Sequence, residues 1–219
     1  MKILAITDPH GDYSKIKEMI EKAGDFDLVV IVGDITNFGP DEKVEELMEI
    51  FDKPVFAIPG NCDQRSILKA LDASRATNLH GKNEQIGNIR FIGLGGSNPT
   101  PFNTPFELSE EEIEKVLEGM VCSAENDKDC GTIVLLTHAP PYGARDELPF
   151  GHVGSKAIQK FLDRVDLIVC GHIHEAKGLE QVGKTVIVNP GEACKGSCTL
   201  ITLGEKEENK PIEVEFIEV

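Results

Sequence analysis

The chain reads as short apolar runs separated by amphipathic stretches. Leu4-Ala5-Ile6, Val29-Val30-Ile31-Val32, Val55-Phe56-Ala57-Ile58, Val134-Leu135-Leu136 and Leu167-Ile168-Val169-Cys170 are unbroken and show no polar alternation. Runs of this kind suit strands buried on both faces, as in parallel sheets covered by helices. Between them apolar residues recur at helical spacing. Ile16, Met19, Ile20 and Ala23 form one stripe, and Val44, Leu47, Met48 and Phe51 another. Ser109 and Glu112 have the capping-box spacing ahead of Ile113, Val116 and Leu117, while Ser155 precedes a stripe of Ala157, Ile158, Phe161, Leu162 and Val165. Residues 90–94 and 185–188 predict further strands. Residues 199–203, a Glu-rich turn and residues 212–217 predict a terminal hairpin. With no long linker or internal repeat, the expectation is one layered α/β domain over residues 1–219.

Each of the five apolar runs ends within two or three residues on a side chain that can bind a metal. Asp8 and His10 follow the first, Gly33-Asp34 the second, Gly60-Asn61 the third, His138 the fourth, and Gly171-His172-Ile173-His174 the fifth. In open α/β sheets ligands gather beyond the carboxyl ends of the strands, so all seven would face one crevice. Taken singly, each has an ordinary explanation: an Asp-Pro turn, a helix cap, a left-handed Asn, a core histidine. Together they form a set of hard oxygens and imidazoles that suits manganese, iron, zinc, cobalt or nickel. Seven ligands exceed the needs of one tetrahedral ion, whereas two ions sharing a carboxylate would use them all. If extended, Asp8 and His10 point the same way, as do His172 and His174. Pro9 removes a ladder donor and favours an irregular strand end.

These five blocks, Asp8-Pro9-His10, Gly33-Asp34, Gly60-Asn61-Cys62-Asp63, His138 and Gly171-His172-Ile173-His174, resemble in order the motifs of the calcineurin-like metallophosphoesterases. Val188-Asn189-Pro190-Gly191 is similar to a turn that often follows the last motif in small prokaryotic members. The resemblance implies a four-layer α/β/β/α sandwich of two mixed sheets flanked by helices. It implies a dinuclear centre in which Asp34 bridges, Asn61 and His172 join the second ion, and His174 joins the first. It also implies a metal-dependent phosphoesterase whose nucleophile is a metal-bridging hydroxide, with Asp34, Asn61 and His138 at the reacting centre. Two divalent ions are expected, manganese first among them. Cys62 departs from the pattern, standing where most members carry histidine. Members that also lack it include small phosphodiesterases, so a small phosphodiester is the favoured substrate. A phosphomonoesterase or protein phosphatase would use the same ligands. A scaffold of the same fold, such as one eukaryotic sorting-complex subunit, has lost part of the set that is complete here.

A thiol is a poor stand-in for the missing imidazole, so Cys62 is expected only to fill space. Asp63 is a candidate for orienting an imidazole. Arg65, Arg145 and Lys156 lie near motifs and are candidates for phosphate contact. His152, in Gly151-His152-Val153-Gly154-Ser155, precedes a helix whose amides could receive phosphate, although an ordinary helix-entry turn explains it as well. His80 lies outside the motifs and is expected to be structural or exposed.

Charge narrows the partners. The formal net charge of −16, with 38 acidic against 22 basic residues and no basic block, disfavours duplex nucleic acid. Acidic runs such as Glu110-Glu111-Glu112 read as solvated helix faces. No stretch approaches the roughly 20 apolar residues of a membrane helix, and the first strand starts too early for a cleavable signal, so a cytoplasmic location is expected. The six cysteines lack paired metal spacing and are expected as free thiols, although Cys122 with Cys130, or Cys194 with Cys198, could bridge in a hyperthermophile. Oligomeric state and natural substrate are not specified by these patterns.

Overall fold

A computed structural model describes residues 1–204 and 212–219; the Glu-rich turn expected at the terminal hairpin lies outside them. The first half holds β1 (Lys2–Ile6), α1 (Ile16–Ala23), β2 (Leu28–Val32), α2 (Lys43–Met48), β3 (Val55–Ile58), α3 (Ile67–Ala73), β4 (Thr77–Asn78), β5 (Lys82–Ile86) and β6 (Ile89–Leu94). Next come α4 (Glu110–Glu125), β7 (Thr132–Thr137), β8 (Glu147–Leu148), β9 (Gly151–His152), α5 (Lys156–Gln159) and β10 (Leu167–Val169). The chain closes with β11 (Gly178–Val182), β12 (Thr185–Asn189), β13 (Ser197–Thr202) and β14 (Glu213–Glu218).

Two six-stranded sheets result, in the orders β14-β13-β1-β2-β3-β4 and β11-β12-β10-β7-β6-β5. Both are mixed: β1, β2, β3 and β4 run parallel with β13 and β14 added antiparallel, and β6, β7, β10 and β12 run parallel with antiparallel β5 and β11 at the edges. The predicted hairpin is present, with Ser197 opposite Glu218 and Thr202 opposite Glu213.

Period-two geometry explains why the strand runs show no polar alternation. Ile3, Ala5, Val30 and Ile58 turn inward, where they meet Phe91, Val134, Leu136 and Val169 of the second sheet. Leu4, Ile6, Val29 and Ile31 turn outward, beneath Ile16, Met19, Val44 and Leu47 of α1 and α2. The second sheet does the same: Ile92, Leu135, Ile168 and Ile187 lie under Ile113, Leu117, Ala157 and Ile158 of α4 and α5. Helices therefore cover both outer faces, giving the α/β/β/α sandwich. The Ser109–Glu112 capping box opens α4, with both reciprocal bonds formed. By contrast, α5 is shorter than its stripe. It ends at Gln159, and Phe161 and Val165 reach the core from a following turn. Asp163 terminates that turn with a φ of 65°, its backbone N–H donating to Thr185 Oγ at 3.0 Å.

Among the described residues none of the six cysteines is joined in a disulfide, so neither sequence-adjacent pair forms one. No helix in the described residues is long and apolar enough to cross a membrane.

Candidate metal centre

The loops that leave β1, β2, β3, β7 and β10 carry the seven candidate ligands, and backbone bonds tie the first two loops together. Asp8 N–H donates to Gly33 O at 3.2 Å, His10 N–H to Asp34 O at 2.8 Å, and Gly11 N–H to Ile35 O at 3.0 Å. Asp8, His10, Asp34 and His172 all adopt left-handed backbone, with φ of 53°, 47°, 49° and 66°. The extended i, i+2 geometry expected for Asp8–His10 and His172–His174 is therefore not how these side chains converge. Each is turned inward by a sharp backbone reversal, a conformation that non-glycine residues hold only where the surroundings impose it. Room for this comes from the motif glycines. A Cβ on Gly60 would stand 2.1 Å from Asp34 Oδ1, and one on Gly171 2.0 Å from Thr7 Oγ.

Asp34 lies at the middle of the cluster. Its Oδ1 lies 3.4 Å from His138 Nε2 and accepts the Cys62 N–H at 2.8 Å, while Oδ2 lies 3.8 Å from His10 Nε2. On one side Asp8 Oδ1 is 3.3 Å from His174 Nε2, which is 3.4 Å from His10 Nε2. On the other, His138 Nε2 is 3.0 Å from Asn61 Oδ1, and its Nδ1 is 2.9 Å from Val32 O. With Nδ1 donating to that carbonyl, Nε2 is the nitrogen that faces the cluster, and it would offer a lone pair to an ion on giving up the proton it directs at Asn61 Oδ1 and Asp34 Oδ1. His172 is placed differently: its ring packs edge-on to His138 at 5.2 Å between centroids, and its backbone N–H donates to Asp8 Oδ2 at 3.2 Å. Among the described residues its ring nitrogens are not part of the three close groups of possible ligands, which are Asp8–His10–His174, Asp8–Asp34–His138 and His10–Asp34–Cys62.

The charges are mutually adjusted. Burial alone would raise the carboxyls of Asp8 and Asp34, yet the neighbouring imidazoles outweigh it and hold both below the usual carboxylate range. Burial opposes protonation of His138, but Asp34 and Asp8 push it up to about 10. Burial and the nearby His138 push His172 down to about 4, which leaves it neutral as a ligand must be. Burial and the charge of Asp34 push the Cys62 thiol upward, so it is protonated in the absence of a cation.

The donor set fits metal ions. With metal–ligand bonds of about 2.1 Å, adjacent ligands stand roughly 3.0–3.4 Å apart. His138–Asn61, His138–Asp34, His10–His174 and His174–Asp8 lie at 3.0, 3.4, 3.4 and 3.3 Å. Residues from both sides of Asp34 could hold an ion.

Residues outside the motifs complete the support. Glu192 Oε1 stands 3.2 Å from His174 Nδ1, and Thr7 Oγ 2.7 Å from Asp8 Oδ2. The sequence reading missed both; Glu192 directly follows the Asn-Pro-Gly turn, and that adjacency was its signal. The turn itself holds the histidine loop, with Asn189 Nδ2 donating to Ile173 O at 2.9 Å.

Other candidates have different employment. Asp63 orients no imidazole. Fully buried, it accepts N–H bonds from Ile35, Thr36 and Gly60 at 3.0, 2.7 and 2.8 Å, pinning the loops that present Asp34 and Asn61. Arg65 lies over the Phe106 ring at 4.5 Å and donates to Glu107 O. Lys156 lies 5.5 Å from the Tyr142 ring centroid. The α5 amides are not free for phosphate, because Glu110 accepts from Lys156 and Ala157 N–H at 3.1 and 2.7 Å. Arg145 pairs with Glu180 at 3.1 Å, and His152 Nδ1 with the buried Asp146 carboxylate at 2.6 Å. These last two line a cavity of about 300 Å³ with Glu175 and Ala176, the residues that follow His174. His80 is structural: its Nδ1 accepts from Gly95 N–H at 3.1 Å, and its ring lies against Phe106.

Comparison with known proteins matches residues 1–176 to the model of the calcineurin-like phosphoesterases. The chain belongs to that family. It is 41% identical over 201 residues to a protein of Methanocaldococcus jannaschii described as uncharacterized, covering 87% of this chain and 88% of that one. It is 25% identical over 214 residues to a 3',5'-cyclic adenosine monophosphate phosphodiesterase of Haemophilus influenzae, covering 87% and 76%. A crystal structure of a Thermus thermophilus protein shares the fold, with TM-score 0.76 at 17% identity over 99% and 98% of the two chains. For this calcineurin-like phosphoesterase, the family indicates a hydrolase that uses divalent metals, and the clusters around Asp34 are where such ions fit.

Proposed function

We propose that the chain is a phosphodiesterase acting on a small phosphate ester through two divalent ions, with Asp34 as the shared ligand. One observation carries this reading: the two carboxylate oxygens of Asp34 face different donor groups, His138 on one side and His10 on the other. Ions bound there would acidify a water for attack on phosphorus and neutralise charge on the phosphoryl oxygens. Asp8, His10 and His174 hold one side, and Asn61 and His138 the other, with His172 packed beside His138. Manganese is the first expectation for an oxygen and imidazole set.

Diester preference is supported by the cyclic-nucleotide phosphodiesterase relative and by the absence of the motif histidine at Cys62. A positioned acid is worth roughly 10²–10⁴-fold where the leaving group needs a proton. Aryl leaving groups need it least, so the protein should favour aryl over alkyl diesters. The cavity holding Arg145 and His152 is also lined by Glu175 and Ala176, which follow His174 in the chain, and has space for one ester group. Phe38 and Phe102 are 55% and 80% exposed in the loops that follow β2 and β6, and Phe150 is 79% exposed in the β8–β9 turn.

Turnover of bis-aryl phosphodiesters and aryl monoesters by manganese-loaded protein tests the reading. Diester hydrolysis that exceeds monoester hydrolysis, stops on chelation and returns with metal is expected. Monoester preference would move the protein to the phosphatase alternative, and no turnover with both ions bound would move it to the scaffold.

A further inference from the structure

We propose that Cys62 is a metal ligand, and that it makes the ion position beside His10 selective for thiophilic divalent ions. This rests on the dinuclear reading of the centre and extends it to the identity of one ion. Cys62, expected only to fill space, contributes its Sγ to a close group. One ligand atom each from His10, Asp34 and Cys62 lie within 4.8 Å of one another. Its backbone is fixed from two sides, with the N–H donating to Asp34 Oδ1 at 2.8 Å and the carbonyl accepting from Phe38 N–H at 3.0 Å. The side chain is half-buried in the cluster, within 3.6 Å of Asn61 Nδ2.

With metal–sulfur bonds of about 2.3 Å and metal–nitrogen bonds of about 2.1 Å, sulfur and nitrogen ligands on one ion stand roughly 3.5 Å apart. The three atoms, within 4.8 Å of one another, would have to draw together by up to about 1.3 Å to share an ion. Binding displaces the thiol proton to solvent, leaving thiolate on the metal. Soft thiolate selects zinc, cobalt or iron over manganese, whereas the Asn61 and His138 side retains harder donors. The two positions consequently differ in chemistry, and mixed loading follows: a thiophilic ion beside His10 and Cys62, with manganese tolerated on the other side.

Cobalt(II) titration of the anaerobic, metal-free protein tests this without reference to turnover. The expected result is a near-ultraviolet thiolate-to-cobalt charge-transfer band that saturates with one of two bound ions. The band should vanish in Cys62→Ser and persist in Cys194→Ser. Loss of an outer partner already costs 10–100-fold in metal affinity, so Cys62→Ser should weaken cadmium binding by about tenfold or more. Manganese binding should change far less. Two cobalt ions bound without the band would overturn the ligand role of Cys62 and leave the dinuclear centre standing. Failure to bind two ions would instead remove that centre and this proposal with it. A band that survives in Cys62→Ser would assign the thiolate elsewhere and overturn the proposal as well.

Discussion

Glu192 Oε1 stands 3.2 Å from His174 Nδ1, on the side of the imidazole away from Asp8. A carboxylate in that place holds the proton on Nδ1 and turns the Nε2 lone pair toward the metal side. Glu192→Ala should weaken binding of the ion shared by Asp8, His10 and His174 by about 10–100-fold. Glu192→Gln should recover most of that loss, since its amide oxygen can still accept from Nδ1. Competition with a chromophoric chelator measures both; equal affinity in wild type and Glu192→Ala would remove the orienting role.

The buried Asp63 carboxylate makes a different prediction, one of stability. Asp63→Ala would leave the Ile35, Thr36 and Gly60 amides without their acceptor. Unsatisfied buried donors cost about 1–3 kcal/mol each, and some would recruit water, so a loss of roughly 3 kcal/mol is expected in denaturant unfolding. A loss below about 1 kcal/mol would show that the three amides have other partners.

Gly60 tests the close approach of two loops. A methyl group there would sit 2.1 Å from Asp34 Oδ1 and 2.2 Å from Asp34 N, so the loop must move. Gly60→Ala should cost about 1–3 kcal/mol, the usual penalty of overpacking, and should displace Asp34 enough to lower metal occupancy. Full occupancy with unchanged stability would contradict the geometry.

His152 offers a pH dependence away from the metal ligands. The hydrogen bond to Asp146 and the charge behind it raise the imidazole pKa above its ordinary value. The pair therefore contributes its full stabilisation below the unfolded value of ~6.5, and that contribution is lost as pH rises through the higher folded value. An NMR titration should find His152 above ~6.5 in the wild type and returned toward it in Asp146→Asn. An unchanged midpoint in the variant would dismiss Asp146 as the cause.

Much of the fold was legible because interior strands are buried on both faces and so carry unbroken apolar runs, as Val29 to Val32 do. The two edge strands of the second sheet escaped for the opposite reason. The Lys82–Ile86 strand, Lys-Asn-Glu-Gln-Ile, is largely polar, and the Gly178–Val182 strand, Gly-Leu-Glu-Gln-Val, mixes polar and apolar residues without a fully buried position. The helix Ile67–Ala73 buries only Ile67 and Leu71, two positions that do not establish a stripe. The ligands were readable as side-chain types at strand ends. How they converge was not, because left-handed backbone at His10 and His172 leaves no mark in residue type. Partnerships through space were hidden too: Glu192 reaches His174 from beyond the β11–β12 hairpin, and Glu110 caps α5 from the start of α4.

The central claim is that Asp34 is shared by two ions, and metal analysis of cobalt-saturated, gel-filtered protein tests it most directly. The account predicts two ions per chain in the wild type, and loss of affinity at both positions in Asp34→Asn with the fold retained by circular dichroism. One ion per chain, unaltered in Asp34→Asn, would contradict it.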